Sequence, residues 1–176
     1  MISRTIANCG LIVDVGCGNG SYLNPLSKKA RLVIGLDRSR LLCMKVREMG
    51  YPAILADANH LPFKDCSIDV IWAAEVVEHL PSLHVFNEFE RVCKRIVATL
   101  PNPRSPHFKL GPTHILRYTI RSLRKFLRDR KDWTYRIRGI GYHHVPIPKW
   151  MKWLSTRLTW LFPSLSPTIA IIGELS

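Results

Sequence analysis

The chain of 176 residues has the length of a single domain, and its 47% hydrophobic residues can bury a sizeable core. It contains no run of about 20 uninterrupted apolar residues, so no membrane-spanning helix is expected. The net charge of +13 is uneven: residues 1–100 hold 12 Lys and Arg against 10 Asp and Glu, whereas residues 101–176 hold 14 against 3. We therefore expect an anionic partner for the second half.

The N-terminal segment and the cysteines predict a reduced, cytoplasmic protein. The first ten residues lack the long apolar region and the small-residue cleavage site of a signal peptide. The cysteines are odd in number and have no paired short spacing, so neither a disulfide framework nor a metal site is indicated. They are Cys9, Cys17, Cys43, Cys66 and Cys93.

The first predicted strand leads into a glycine-rich loop. Leu11–Val15 is an apolar run typical of a buried strand, and the letters GCGNG follow it. Glycines permit a tight turn that brings backbone N–H groups against a ligand. A helix beginning near Asn19 or Ser21 would point its positive end at that ligand. The segment therefore predicts a nucleotide-type cofactor pocket.

Asp14, two places before the first glycine, narrows the kind of cofactor. Dinucleotide-binding loops of the G-x-G-x-x-G type usually carry an apolar residue at that position, and they need a small residue where this chain has Ser21. A carboxylate suits a cofactor that brings a positively charged amino group to the loop, as S-adenosylmethionine does. The alternative is a glycine-rich turn without a ligand, and the downstream segments argue against it.

The second apolar run, residues 31–36, ends in Asp37, which lies 21 residues after Gly16. An acidic residue about 20 residues past such a loop is placed to bind both ribose hydroxyls. Asp37 could instead cap the helix expected near Ser39, although Ser39 could cap that helix itself. The two roles can coexist, and the spacing favours the ribose.

The third and fourth runs complete the pattern of a doubly wound parallel sheet. Residues 53–56 precede Asp57 and Ala58, where a carboxylate can accept a hydrogen bond from an adenine amine and a small side chain leaves room for the ring. Residues 68–73 lead into the letters AEVVEHLP. Four apolar strands ending in polar residues, with helical segments between them, place a ligand at the carboxyl ends of the strands.

These motifs resemble those of class I S-adenosylmethionine-dependent methyltransferases, and within that class the type 11 group, which includes quinone-biosynthesis enzymes and some tRNA-modifying enzymes. The segments are DVGCGNGSYL, VIGLDRS, LADANHLPFKDCSIDVIWAAEVVEHLP and ATLPNP, in order between Leu11 and Pro103. The segments HILRYTIRSLRKFL and IAIIGEL extend the resemblance more weakly, as a last helix and a last strand.

The resemblance implies an α/β fold: a three-layer sandwich with a Rossmann-like seven-stranded sheet of order 3-2-1-4-5-7-6, strand seven antiparallel. The predicted strands are residues 11–15, 31–36, 53–56, 68–73, 95–100, 133–139 and 168–174. We expect one methyltransferase domain over residues 1–176, with a cofactor-binding half at 1–103 and a substrate-side half at 104–176.

The resemblance also implies which residues bind the cofactor. It puts the methionine part at the glycine loop and Glu75, the ribose at Asp37 and the adenine at Asp57. The predicted cofactor-binding set is Asp14, Gly16, Cys17, Gly18, Asn19, Gly20, Asp37, Arg38, Asp57, Ala58 and Glu75. Cys17 is expected to be packed and not to act as a nucleophile.

Two departures from the family's pattern leave a rival function open. Residues 92–95 read VCKR where the family often has a Pro-Gly-Gly turn, and only about ten residues precede the first strand, where relatives usually carry one or two helices that cover the cofactor. The rival is a cofactor-binding partner subunit that does no chemistry itself. It predicts an exposed apolar patch beside the cofactor, with self-association or a second protein as partner.

His79 and Glu78, which follow strand four, are the catalytic candidates. Methyl transfer from a sulfonium is an in-line displacement that depends largely on proximity and orientation, so a base is needed only where the acceptor must lose a proton. Histidine suits that task near neutral pH. A histidine bonded to backbone at a helix start is the alternative. His143 and His144 could project over the site or cap the end of strand six.

Two segments of the second half bear on the acceptor. A predicted helix at 119–130 carries basic residues around an apolar stripe, which fits either a packed helix with a solvated face or a surface for RNA or anionic lipid head groups. Residues 143–163 interleave tryptophans with Lys and Arg, which fits a substrate-covering insertion, peripheral membrane contact or stacking on bases. We predict a small or lipid-like acceptor ahead of RNA, roofed by residues 143–163.

Overall fold

The computed structural model describes residues 6, 9–105, 118–140, 159 and 166–176. In these ranges the chain forms a seven-stranded sheet of order β3-β2-β1-β4-β5-β7-β6. The strands are β1 Cys9–Val15, β2 Ala30–Asp37, β3 Ala53–Leu55, β4 Val70–Ala74, β5 Arg95–Pro101, β6 Trp133–Ile140 and β7 Thr168–Leu175. The helices are α1 Leu23–Ser27, α2 Arg40–Glu48, α3 Val85–Val92 and α4 Ile120–Leu127.

The first five strands run parallel, and β7 pairs antiparallel with both β5 and β6. The predicted strand order and the antiparallel last strand are therefore confirmed. Asp14 lies opposite Gly35 of β2 and Trp72 of β4. Because the parallel strands end at one edge, the residues that follow β1, β2, β3 and β4 meet there.

The predicted strand bounds hold within two residues. The largest differences are in β1, which begins at Cys9 and not at residue 11, and in β4, which begins at Val70 and not at residue 68. Ile68 forms only an isolated bridge with Cys93. Asp69 instead turns its carboxylate towards the start of β1, where it accepts hydrogen bonds from the N–H groups of Gly10 and Leu11.

Two predictions about helices are wrong. The helix expected to begin near Asn19 or Ser21 begins at Leu23 and is only five residues long. Two turns precede it, because Gly20 N–H donates to the Cys17 carbonyl at 2.9 Å and Leu23 N–H to the Gly20 carbonyl at 3.1 Å. The positive end of α1 therefore does not reach the loop as expected.

The second wrong prediction concerns residues 56–69, between β3 and β4, which contain turns and no helix. Side chains of α3 satisfy the backbone of this segment instead. The Arg91 guanidinium donates to the carbonyls of Leu61 and Phe63 at 3.1 and 2.9 Å, and Glu88 accepts from the Leu61 N–H at 2.7 Å.

Helices cover both faces of the sheet, which gives the predicted three layers. On one face, α1 and α2 bury Leu23 and Val46 against alternate residues of β1, β2 and β4. On the other face, α3 and α4 bury Phe89 and Leu123 against the intervening residues of the same sheet. Each strand thus contributes to two cores, which explains the continuous apolar runs in the sequence.

The helix predicted at 119–130 is confirmed as α4, with Thr119 as its N-cap, accepting from the Ser122 N–H at 3.2 Å. It buries Leu123 and Leu127 and leaves its basic residues outside. The exposed ones are Arg121, Arg124, Lys125 and Arg128.

None of the helices in the described ranges is long and apolar enough to cross a membrane. His143, His144 and the predicted roof at 143–163 lie outside the described residues, apart from Thr159.

Candidate functional site

The glycine loop lies between β1 and α1 in a backbone conformation that favours glycine. Gly16 has φ +66° and Gly18 has φ +53°. A Cβ on Gly16 would lie 2.5 Å from Val76 Cγ2, so the loop packs closely on the segment after β4. A Cβ on Gly18 would meet nothing within 4 Å. The loop is therefore tightly packed at one glycine and open at the other.

Asp37, at the end of β2, holds the loop in place. Its Oδ2 accepts from the Gly18 N–H at 3.0 Å, and its Oδ1 accepts from the Ser39 N–H at 2.8 Å. Ser39 is the N-cap of α2, since its hydroxyl accepts from the Leu42 N–H at 3.4 Å. A carboxylate oxygen can accept a second hydrogen bond, so Asp37 keeps capacity for a ligand.

Asp14, at the end of β1, is a buried acid with one unpartnered carboxyl oxygen among the described residues. Its side chain is 1% exposed, and its Oδ2 has no hydrogen-bond partner among the described residues. Burial, reinforced by the charge of Asp37, raises the pKa of Asp14 to about 8. An unsatisfied buried carboxyl costs stability. A cationic ligand group placed here would remove that cost.

Glu75 and Glu78 follow β4. Glu75 is exposed, has a φ of +57° and accepts a hydrogen bond from the Thr99 hydroxyl at 3.2 Å. A left-handed conformation in a residue other than glycine stores strain of about 1–3 kcal/mol and is common at functional sites. Glu78 is 2% exposed, and neither of its carboxyl oxygens has a hydrogen-bond partner among the described residues. Burial and the neighbouring charge of Glu75 raise the pKa of Glu78.

Tyr22 and Trp72 complete this end of the sheet. Their ring centroids lie 5.4 Å apart, and Trp72 is 2% exposed. Burial and the charges of Glu75 and Asp14 raise the pKa of Tyr22, which links the residues after β4 to those after β1. The sequence analysis missed both aromatics. The available signals were an aromatic directly after the glycine loop and a tryptophan within an apolar strand.

The residues predicted for the adenine lie after β3. Asp57 is exposed and accepts from the backbone N–H and the side-chain amide of Asn59 at 2.8 and 2.9 Å. These bonds lower the pKa of Asp57, and the nearby charges of His60 and Arg38 act in the same direction. Ala58 is half-buried against the larger of the two cores.

The remaining predicted loop residues differ in exposure. Cys17 is buried, and burial raises its thiol pKa to about 12, so only its backbone could meet a ligand. Asn19 is exposed and accepts from the Ser21 hydroxyl at 2.7 Å. Gly20 is buried.

The short 3₁₀ turn Val77–His79 ends at a half-buried His79. Across the described ranges, no three or more His, Cys, Asp and Glu side chains are grouped so as to hold a metal ion. The structure thus brings the predicted residues to one edge of the sheet, where carboxyls predominate. We call this set the strand-end cluster. Its members are Asp14, Gly16, Gly18, Tyr22, Asp37, Glu75, Glu78 and Thr99.

Residues 13–96 match the family model described as a methyltransferase domain. The chain is similar to the 27-O-demethylrifamycin SV methyltransferase of Amycolatopsis mediterranei, with 31% identity over 93 residues, 47% of this chain and 34% of that protein. It is also similar to the tRNA (carboxymethyluridine(34)-5-O)-methyltransferase alkbh8 of Xenopus tropicalis, with 39% identity over 69 residues, 39% of this chain and 11% of that protein. The chain thus matches about a third or less of the length of these two relatives.

Solved structures share the fold across almost the whole chain. A chain from the complex between the Haloferax volcanii Trm112 methyltransferase activator and a methyltransferase has a TM-score of 0.76 and 19% identity, covering 99% of this chain and 86% of that one. A SAM-dependent methyltransferase from Archaeoglobus fulgidus has a TM-score of 0.69 and 19% identity, covering 98% and 90%.

Proposed function

We propose that the chain is a class I S-adenosylmethionine-dependent methyltransferase that transfers a methyl group to a small or lipid-like acceptor, because residues 13–96 match a methyltransferase-domain model. The cofactor of this family is S-adenosylmethionine, which supplies an activated methyl group on a sulfonium when bound. The observation that carries the proposal is the buried carboxyl of Asp14, whose Oδ2 has no partner among the described residues, beside a glycine loop that is open at Gly18.

The strand-end cluster fits this cofactor. Asp14 would accept the methionine ammonium, and Gly18 leaves space where a side chain would intrude. Asp37 would bind the ribose hydroxyls with its remaining lone pairs, and Asp57 would accept from the adenine amine beside Ala58. Charge-assisted hydrogen bonds of this kind each contribute about 1.5–3 kcal/mol.

His79 and Glu78 remain our proposed catalytic residues. Both belong to the 3₁₀ turn after β4, next to the residues proposed to hold the methionine part. Either side chain could take a proton from an acceptor that must lose one. An acceptor that needs no deprotonation would rely on positioning alone.

Calorimetry with S-adenosylmethionine and with its demethylated product tests the cofactor proposal. Asp37→Ala should weaken binding by about 10- to 150-fold, because it removes a charged ribose acceptor and frees the Gly18 N–H. Ser39→Ala is the matched control: it removes the α2 cap, at about 1 kcal/mol of stability, without touching the ribose. An unchanged dissociation constant for Asp37→Ala would refute the ribose assignment.

The acidic residues of the strand-end cluster support a small or lipid-like acceptor whose reacting group is not a phosphate. Asp37 and Glu75 place acidic groups at this edge, and these disfavour an anion close to the transferred methyl group. The similarity to the rifamycin methyltransferase agrees with such an acceptor. Incubation with labelled S-adenosylmethionine and separate small-molecule, lipid and RNA extracts would show which fraction takes up label.

RNA is the second candidate acceptor, favoured by the exposed basic face of α4 and by the similarity to a tRNA methyltransferase. RNA binding should then weaken with salt, with a slope of about −0.7 per phosphate contact on a single strand. Tight RNA binding, with a salt slope that corresponds to several phosphate contacts, would make RNA the leading candidate acceptor. Weak binding at physiological salt would leave the small or lipid-like acceptor in place.

A third proposal is that the chain binds a partner protein. It is favoured by apolar side chains that are exposed to solvent in the cofactor-binding half. Leu41 and Met44 of α2 are 62% and 47% exposed, and Leu55 of the edge strand β3 is 52% exposed. The helix adjoins that strand, since Arg47 Nη2 donates to the Ala53 carbonyl at 2.7 Å. Open strand edges and apolar patches are common docking surfaces. The proposed occupant is an activator protein of the Trm112 kind, as in the Haloferax complex.

Co-expression with such an activator, followed by size-exclusion chromatography, tests this surface. Leu55→Glu should abolish the complex, whereas Leu175→Glu, at another exposed apolar residue on β7, should leave it intact. Absence of a complex with the unmodified chain at micromolar concentration would reject this partner.

A further inference from the structure

Two acids of the strand-end cluster are enclosed without the partners that buried carboxylates normally have. Glu78 is 2% exposed and Asp14 is 1% exposed. Glu78 has no hydrogen-bond partner for either oxygen, and Asp14 has none for Oδ2, among the described residues. A buried carboxylate in this situation is strongly disfavoured relative to the neutral acid.

The charges that act on these two acids in the described part of the chain are negative. Asp37 acts on Asp14, and Glu75 acts on Glu78. The other titratable neighbours are Cys17 beside Asp14, Tyr22, whose ring lies near both Asp14 and Glu75, and His79 in the same turn as Glu78. Burial and these negative charges favour the protonated form of both acids in the ligand-free protein.

The two forms of the proposed cofactor differ by one positive charge. S-adenosylmethionine carries an ammonium and a sulfonium, whereas its demethylated product carries the ammonium and a neutral thioether. In the proposed binding mode, Asp14 at the glycine loop receives the ammonium, and Glu78 in the turn after β4, together with Glu75, acts on the sulfonium through its charge.

We propose that Glu78 is a positioning residue that distinguishes S-adenosylmethionine from its product by exchanging a proton, in which case the role of base falls to His79. The Glu78 carboxyl loses its proton to solvent when the sulfonium arrives, and the carboxylate then stabilises that charge together with Glu75. When the methyl group has left, Glu78 takes a proton back from solvent, and the product is held less tightly. This inference rests on the proposed cofactor.

Calorimetry of the full chain in two buffers of equal pH and different ionisation enthalpy counts the protons released. With EDTA present at pH 7, S-adenosylmethionine should release about one proton more than the product does. The ratio of the two dissociation constants should also change with pH, by at most about tenfold per pH unit between pH 6 and 8, in favour of S-adenosylmethionine at higher pH.

Glu78→Gln imitates the protonated acid and should fold, which near-ultraviolet circular dichroism checks. This variant should release equal numbers of protons with the two ligands and should lose the pH dependence of their ratio. Glu88→Gln is the control, because Glu88 is an acid of α3 already bonded to Arg91 and to the Leu61 N–H. The control should retain the extra proton.

Equal proton release for the two ligands in the unmodified chain would overturn the inference while leaving cofactor binding intact. An extra proton that persists in Glu78→Gln would overturn it as well, since another group would then be its source. Failure of the folded chain to bind either ligand would instead refute the proposed function on which the inference rests. The pH series on the unmodified chain needs no variant.

Discussion

The two ends of the parallel sheet carry acids in opposite states. At the amino end, Asp69 accepts from the N–H groups of Gly10 and Leu11 at 2.9 and 3.0 Å and pairs with Lys94 at 3.1 Å, and these bonds lower its pKa. At the carboxyl end, Asp14 is buried with an unpartnered oxygen, and its pKa is raised. The same residue type thus strengthens one end and weakens the other.

This difference shows how the fold divides stability from binding. The amino end satisfies its charges internally, also through the ion pair of Arg95 with Glu174 at 3.1 Å. The carboxyl end leaves charges unsatisfied and holds Glu75 in a strained backbone conformation. A ligand that brings positive charge can therefore bind more tightly, because it removes the free-energy cost of the unsatisfied charges.

The largest expected effect is a loss of stability of the ligand-free protein as the pH rises from 5 to 8. The pKa of Asp14 is about 8 in the folded chain and near 4 when unfolded, so its contribution is fully present at low pH and is lost as the pH rises towards 8. The loss is on the order of a few kcal/mol. Urea unfolding at both pH values measures it. Asp14→Asn should flatten the dependence, and an identical slope in that variant would contradict the assignment.

The next effect concerns cofactor affinity. Asp14→Asn should weaken S-adenosylmethionine binding by about 10- to 150-fold, because the ammonium loses its charged acceptor. The same variant should be more stable than the unmodified chain at pH 8. Calorimetry and urea unfolding give the two quantities. A variant that lost both affinity and stability would contradict the proposed difference between the two ends of the sheet.

At the amino end the expectations are reversed. Asp69→Asn should lower the free energy of unfolding at pH 7 by about 1 kcal/mol, a modest value because its side chain is one third exposed. The dissociation constant for S-adenosylmethionine should not change. Since the pKa of Asp69 is lowered, its contribution should vanish only as the pH falls below 4. A change in cofactor affinity would show that the ends are coupled.

The smallest expected effects, and the most closely matched pair of variants, concern two glycines. Gly18 at the carboxyl end and Gly50 after α2 both have positive φ, +53° and +85°, and a Cβ on either would meet nothing within 4 Å. Substitution by Ala should cost each about 1–2 kcal/mol of stability. Only Gly18→Ala should also weaken cofactor binding, because its methyl group would enter the proposed ligand space. Equal affinity in both variants would mean that this space is not used.

The sequence predicted the sheet well, because strand patterns and their order depend on local apolar runs. Asp14 and Asp37 could be located because each ends such a run. The bond from the Gly18 N–H to Asp37 could not be foreseen, since it joins residues 19 apart through a turn of unknown shape. The strain at Glu75 and its bond from Thr99 depend on how β4 and β5 end together.

The late start of α1 and the absence of a helix before β4 could not be predicted from the sequence for a related reason. Two local turns replaced the helical bonds before α1, and tertiary hydrogen bonds from α3 replaced them before β4. Tyr22 gave a visible signal, an aromatic after the loop, but its role depends on the packing of its ring beside Trp72, 5.4 Å away. The hypotheses on residues 143–163 stay predictions.

The Arg91 guanidinium, which replaces a helix as the support of residues 56–69, also determines the order in which parts of the molecule open. It donates to the carbonyls of Leu61 and Phe63 and pairs with Glu88 and Asp65. Because one side chain makes these contacts, releasing it removes several of the bonds that hold this segment without disturbing a strand. The amide hydrogens of this segment should therefore exchange with solvent deuterium well before those of β1 and β4. The proposed adenine wall would then be the first part of the site to open.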